Sequence, residues 1–306
     1  MKKDLLKMDD LSKEEILEIL NLADQLKYEQ KHGIEHKHLK GKSLGMIFEK
    51  SSTRTRVSFE VGMYQLGGNA LFLSNRDLQI GRGEPIEDTA RVLSRFLNGI
   101  MIRTFSQDGI ETLAKYSSIP IINGLTDDEH PCQVLADLMT IREYKNILEG
   151  LNVAFIGDGN NMANSLMIGC LKVGMNFFIA SPKDYTVNET YLSRAKEIAK
   201  KECVNLKSTT SPFEAAKDAD VIITDVWASM GQEEEQTLRI KAFNGFQIND
   251  ELMNFAKSNA IVLHCLPAHR EEEITAKVLE EHSKEIFDES ENRLHAQKAV
   301  LVKFMK

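Results

Sequence analysis

The chain has 306 residues, 42% hydrophobic and 27% charged, enough for about two domains with real cores. A formal net charge of −8 excludes a general nucleic-acid binder, so any anion must be held locally. No secretory signal and no run of about 18 apolar residues is expected, and the four cysteines, Cys132, Cys170, Cys203 and Cys265, form no C-x-x-C pair; secretion, an ordinary membrane span, a disulfide framework and a zinc site are thereby set aside, and a cytoplasmic location is expected.

Ser12 followed by Glu15 is a capping-box pattern that opens a helix reaching about Tyr28, with Ile16, Leu17, Ile19, Leu20 and Leu22 on or near its apolar face. His32, His36 and His38 follow at a spacing that matches no common metal motif, and a solvated surface is expected for them. A strand over 42–49 then delivers Ser51-Ser52-Thr53-Arg54-Thr55-Arg56 to the start of another helix. A helix N-terminus offers unpaired N–H groups and the positive end of a dipole, and here hydroxyls and two guanidinium groups are added to it. Arginine supplies a planar fork suited to phosphate oxygens. Taken alone, the same residues also read as an N-cap followed by solvated arginines.

Short apolar runs at 70–73, 99–102 and 120–122 alternate with helical patterns, which favours a parallel α/β sheet. Pro131 opens an amphipathic stretch over 134–148, and Gly150 is a natural domain boundary. A second α/β series begins at 151–156 and continues with runs at 176–180, 221–224 and 260–263, each suited to a buried parallel strand. The last segment, 293–304, is an amphipathic terminal helix whose pattern does not say where it packs.

Four clusters fall at strand ends. Gly157-Asp158-Gly159-Asn160-Asn161 lies between a strand and a helix, but it lacks the third glycine and the later acidic residue of a dinucleotide fingerprint. Its amides suit a small polar substrate at a sheet's C-terminal edge; plain turn chemistry is the competing reading. His130-Pro131-Cys132-Gln133 places an imidazole and an amide beside a helix start, where both can bond a carbonyl or amide group. Asp225-Val226-Trp227-Ala228-Ser229-Met230-Gly231 reads either as a mobile loop closing on a cationic substrate or as an exposed acidic turn. His264-Cys265-Leu266-Pro267 brings a thiol to the same edge, although a lone buried Cys is more often packing than chemistry.

In this order the motifs resemble those of the ornithine carbamoyltransferases, over essentially the whole chain. The likeness rests on S-T-R-T-R at 52–56, G-R-G-E-P-I-E-D-T-A-R at 81–91, H-P-C-Q at 130–133, G-D-G-N-N at 157–161, D-V-W-A-S-M-G at 225–231, H-C-L-P at 264–267 and N-R-L-H at 292–295. The first and third belong to carbamoyltransferases in general, including the aspartate branch, whereas D-x-x-x-S-M-G and H-C-L-P select ornithine. Charge agrees, since an aspartate site would need a cation where this loop offers Asp225.

The resemblance implies an α/β chain of two domains, each a parallel sheet flanked by helices, with the active site in the cleft between them. Residues 2–145 would bind carbamoyl phosphate and 149–304 ornithine, with the terminal helix from about 293 packing back on the first domain. It implies transfer of the carbamoyl group to the δ-amine of L-ornithine, giving citrulline and phosphate, without metal or organic cofactor. Ser52, Thr53, Arg54 and Thr55 match the phosphate turn, Gln79 a loop that reaches the site from a neighbouring subunit, and Arg103 the arginine bridging phosphate and carbonyl oxygen. His130 and Gln133 match groups on the carbonyl oxygen and carbamoyl nitrogen, Cys265 and Leu266 the pair holding the carbamoyl amine, and Arg293 a further arginine of the carbamoyl phosphate site. Asn161, Asp225, Ser229 and Met230 match the ornithine site; Arg103, His130 and Cys265 are the expected catalytic groups. A homotrimer is implied, with neither nucleic acid nor membrane as partner, and Cys132 is given no role.

A carbamoyltransferase for another amine such as putrescine is the nearest alternative, but a diamine has no α-amino acid head for the 225–231 loop to bind. A dinucleotide-dependent oxidoreductase stands on fold alone. A non-catalytic binding homologue would not need Arg54, Arg103, Asp225 and Cys265 together.

Overall fold

The computed structural model describes residues 2–75, 78, 83–228 and 235–306. The chain divides into two compact units: the first runs to Ala136 and includes Asn292–Lys306, and the second is Asp137–Glu291.

In the first unit, α1 (Lys13–Lys31) starts at a reciprocal cap: Glu15 N–H donates to Ser12 Oγ at 3.2 Å, and Ser12 N–H donates to the Glu15 carboxylate at 3.0 Å. Its buried stripe is Ile16, Ile19, Leu20, Ala23 and Leu26. There follow β1 (Ser43–Phe48), α2 (Thr53–Gln65), β2 (Asn69–Ser74), α3 (Ile86–Leu93), β3 (Gly99–Arg103), α4 (Gln107–Tyr116), β4 (Ile121–Leu125) and α5 (Pro131–Lys145). The strands form one parallel sheet in the order β2-β1-β3-β4. Burial on both faces explains why β1 and β3 read as apolar runs. The order reverses at β1, whose neighbours are β2 and β3, so the carboxyl ends of β1 and β3 open the crevice where such sheets bind ligands. Phe48 lies in register with Arg103 across that end.

The second unit continues with β5 (Asn152–Ile156), α6 (Asn161–Lys172), β6 (Asn176–Ala180), α7 (Glu189–Glu202), β7 (Leu206–Thr209), α8 (Pro212–Ala216), β8 (Val221–Thr224), α9 (Gln236–Ala242), α10 (Asp250–Met253), β9 (Ile261–His264) and α11 (Ala276–Glu281), and α12 (Ser283–Met305) starts here and runs into the first unit from Asn292. Its parallel sheet has the order β7-β6-β5-β8-β9, so the reversal falls at β5 and β8. Packing of Ile156, Ile222 and Val262 with Trp227 and Phe243 forms the core beneath that edge. β7 escaped the sequence pattern because it is a short edge strand whose Lys207 and Ser208 are exposed. Helix α12 begins ten residues before the expected start at 293, since the charged stretch after Ser283 hides its period.

The solvated surface expected for the three histidines holds only for His32. His36 is buried rather than solvated: its Nδ1 faces the Ile34 carbonyl at 2.8 Å and its Nε2 the Lys298 Nζ at 3.2 Å. His38 is half-buried, and only His32 is exposed, stacked on Tyr28. Among the described residues no helix is long and apolar enough to cross a membrane.

Candidate active site

In the first unit, β1 ends at the turn that caps α2. Ser52 Oγ accepts from Thr55 N–H at 3.2 Å, and its hydroxyl donates to Thr55 Oγ1 at 3.1 Å, which fixes the first turn of α2. Arg293, from α12, reaches the same turn: Nη2 donates to Thr55 Oγ1 at 3.1 Å and Nη1 to Gln133 Oε1 at 2.8 Å. Thr55, Gln133, Arg103, His130 and Arg293 are all buried. Arg54 is half-buried and Thr53 exposed on that turn. Burial holds the His130 imidazole well below the usual histidine range, and the Arg293, Arg103 and Arg54 charges lower it further. It is therefore neutral at pH 7, an N–H donor set among cations.

Arg56 does not join the trap. It pairs with Glu60 at 3.0 Å and lies 3.9 Å from the Phe72 ring centroid. Gln79 lies outside the described residues.

In the second unit three strand ends meet at one carboxylate. After β5, a Cβ on Gly159 would lie 2.3 Å from Val187 N and 2.4 Å from the Thr186 carbonyl carbon, so only glycine fits. Asn160 caps α6, accepting from Met162 and Ala163 N–H at 3.0 and 3.2 Å, and its Nδ2 donates to Asp225 Oδ2 at 3.1 Å. After β8, Asp225 Oδ1 accepts from Val226 N–H at 2.8 Å and from the Cys265 thiol at 3.1 Å, Cys265 itself following β9. Burial pushes the Cys265 thiol well above 9, and the Asp225 and Glu289 charges push it further. It is a neutral donor and not a nucleophilic thiolate. Asn161 is half-buried at the first position of α6; Ser229 and Met230 lie outside the described residues.

Behind Cys265, His264 Nδ1 accepts from Leu266 N–H at 2.9 Å, so the proton sits on Nε2, which donates to Glu273 at 3.0 Å. Leu266 is held at φ +58°, a conformation rare for a side chain of this shape and concentrated at functional positions. Asp225, His264 and Cys265 offer donor atoms within 4.8 Å of one another, but both His264 nitrogens are already engaged by the protein.

Residues 3–143 match the family model described as aspartate/ornithine carbamoyltransferase, carbamoyl-P binding domain, and residues 149–304 the corresponding Asp/Orn binding domain. The chain is 55% identical over 303 residues to an ornithine carbamoyltransferase from Oceanobacillus iheyensis, covering 99% of this chain and 94% of that one. It is 56% identical over 306 residues to one from Methanosarcina mazei, covering 100% of both. The solved structure of ornithine carbamoyltransferase from Pyrococcus furiosus superposes with a TM-score of 0.95 at 50% identity, covering 99% of this chain and 97% of that one. The chain belongs to the aspartate/ornithine carbamoyltransferase family.

Within this carbamoyltransferase the structure also shows supporting groups that the motifs do not announce. Lys50, buried at the end of β1, pairs with Asp127 and lies 4.3 Å from the Phe105 ring centroid. The one available sign was a lysine between a strand and a cap. Arg239 of α9 donates to Asp158 at 2.7 Å and to the Trp227 carbonyl at 2.8 Å, tying the 157–161 turn to the segment after β8. That pairing spans 81 residues, beyond the reach of any local pattern.

Proposed function

We propose that the protein transfers the carbamoyl group of carbamoyl phosphate to the δ-amine of L-ornithine, releasing phosphate and forming L-citrulline. Residues 2–145 take carbamoyl phosphate and 149–304 take ornithine, the two sets of groups serving one reaction. The observation that carries this reading is Asp225: its described partners are an amide, a backbone N–H and a thiol, none of them cationic. Such a carboxylate suits an ammonium and repels the second carboxylate of aspartate.

The δ-amine, with an ordinary pKa of about 10.4 if it resembles lysine, must shed a proton before it attacks. A C–N bond forms at the carbonyl carbon as the C–O bond to phosphate breaks; phosphate leaves with the bonding pair and takes up the second proton, which the attacking nitrogen gives up as it becomes the ureido nitrogen. Negative charge grows on the carbonyl oxygen and on the leaving group. Arg54, Arg103, Thr55 and the α2 N-terminus are set to receive the phosphate charge, and His130 donates its N–H to the carbonyl oxygen. A neutral imidazole does this without adding a further cation to three guanidinium groups. Gln133 faces the carbamoyl nitrogen, with the Cys265 and Leu266 backbone holding the same group. Asp225 and Ser229 take the α-ammonium and Asn161 the carboxylate, with Met230 the remaining group of the ornithine site. The reaction so written calls on no metal or organic cofactor.

A homotrimer, with Gln79 contributed by a neighbouring copy, completes the proposal, in a cytoplasmic location. It is supported by exposed apolar side chains of the first unit. Val57, Val61 and Tyr64 on α2 and Leu71 and Phe72 on the edge strand β2 are exposed. Edges of this kind are ordinarily covered.

Initial rates of carbamoylation with ornithine, putrescine and aspartate at one carbamoyl phosphate concentration test the assignment. Ornithine is expected to exceed both others by at least about 100-fold, as a site built to bond a substrate's polar head rejects analogues lacking it. A comparable rate with putrescine would overturn the acceptor assignment, and no product with any amine would overturn the reaction.

A further inference from the structure

Arg293 is held from behind as well as at its tip. A guanidinium has five N–H donors in a fixed plane and no acceptor. Two of its nitrogens are directed at Thr55 and Gln133. One turn further along α12, the fully buried Gln297 amide faces Nε and Nη2. Because those atoms can only donate, the amide oxygen is the atom turned towards them, accepting at 3.2 and 3.0 Å. The amide nitrogen then donates to Ser58 Oγ at 2.5 Å, and Ser58 donates its own proton to the Arg54 carbonyl at 2.6 Å. A continuous chain of hydrogen bonds thus runs from α12 into the peptide groups of the phosphate turn.

We infer that Gln297 is a positioning residue for carbamoyl phosphate: it fixes the plane of the Arg293 guanidinium and, through Ser58, the first turn of α2. The inference rests on the proposed carbamoyl phosphate site. Methionine at 297 has similar length and no acceptor. It would leave the Arg293 Nε–H without its oxygen in a buried place and free the guanidinium to rotate. A lost bond to a charged group corresponds to about 10- to 100-fold in affinity. The acceptor amino acid has no part in this chain of bonds.

The test compares wild type, Gln297→Met, Ser58→Ala and the double variant. Calorimetry gives the Kd for carbamoyl phosphate and for inorganic phosphate, steady-state rates give KM for each substrate, and circular dichroism checks folding. Gln297→Met is expected to raise both Kd values at least about tenfold while KM for ornithine stays within about twofold. Ser58→Ala should weaken binding by less, and the double variant should be no weaker than Gln297→Met, as for residues acting in one chain. Unchanged Kd values in a folded Gln297→Met would overturn the inference. If that variant does not fold, Ser58→Ala decides: unchanged affinity overturns it. A wild type that binds carbamoyl phosphate but makes no citrulline removes the proposed reaction and leaves the binding comparison intact; a wild type that binds neither anion overturns both.

Discussion

Replacing Asp225 by Asn preserves volume and removes the charge around which the acceptor groups are arranged. The carboxylate accepts from Asn160 Nδ2, Val226 N–H and the Cys265 thiol at 3.1, 2.8 and 3.1 Å. An amide has one oxygen; turned to Val226 and Cys265, it sets its NH2 against the Asn160 NH2, donor against donor. The substrate ammonium loses its counter-charge and at least one charge-assisted bond, together about 3 kcal/mol, or about 100-fold in kcat/KM for ornithine. KM for carbamoyl phosphate should move less than that for ornithine, because Ser52, Thr55, His130 and Arg293 belong to the other unit and Cys265 is proposed to meet the carbamoyl amine through its backbone, not through the thiol bonded to Asp225. A second readout is independent of turnover. Burial raises the Cys265 thiol most, and the Asp225 charge and hydrogen bond add to it; removing them lets the thiol ionise at lower pH. Alkylation by iodoacetamide, which consumes the thiolate, should therefore be faster at a given pH, with its pH midpoint displaced downward. An ornithine kcat/KM within about threefold of wild type, or slower alkylation, would refute the assigned role of the carboxylate.

Arg103→Ala should lower turnover by about 100- to 1,000-fold with the fold intact, measured as citrulline formation beside circular dichroism. It also removes one of the cations that depress His130, so the acid limb of the pH–rate profile should move towards neutrality; near-normal activity would sink the assignment. Lys298 is buried beside His36 and Glu29, and burial lowers it from 10.5 to about 8. The unfolded chain therefore holds this proton between pH 8 and 10.5 while the folded one has released it, and stability should rise across that window. At about 1.4 kcal/mol per pH unit the gain is at most about 3 kcal/mol, and about 1–2 kcal/mol once screening is allowed for. Denaturant unfolding at several pH values should show this rise in wild type and lose it in Lys298→Met; parallel curves would count against it. Gly159→Ala forces a Cβ against the 186–187 backbone and should cost about 1–3 kcal/mol in urea unfolding, where a change under about 0.5 kcal/mol would contradict the packing described.

How far the site was legible depends on the range of the interactions that build it. The buried strands β1, β3, β5, β8 and β9 announce themselves as apolar runs because both sheet faces are covered, and the polar clusters that follow them are local in sequence. Arg54 and Arg56 look equivalent in the string S-T-R-T-R, yet residues two apart on a helix point about 200° apart at about 100° per residue. Only one can line the crevice, and Glu60, four residues after Arg56, already marks the other as a surface pair. Thr55 and Arg293, by contrast, are separated by 238 residues, and no periodicity relates them; a family resemblance reached Arg293, but not the Gln297 behind it. An amphipathic reading assigns Gln297 and Lys298 to solvent because they are polar, whereas both are fully buried. Burying such groups is tolerable only where partners are supplied. Polar residues on the inner face of α12 therefore trace how the groups that meet the phosphate are held, and a Gln297→Met/Ser58→Ala cycle that proved strictly additive would show that they are held some other way.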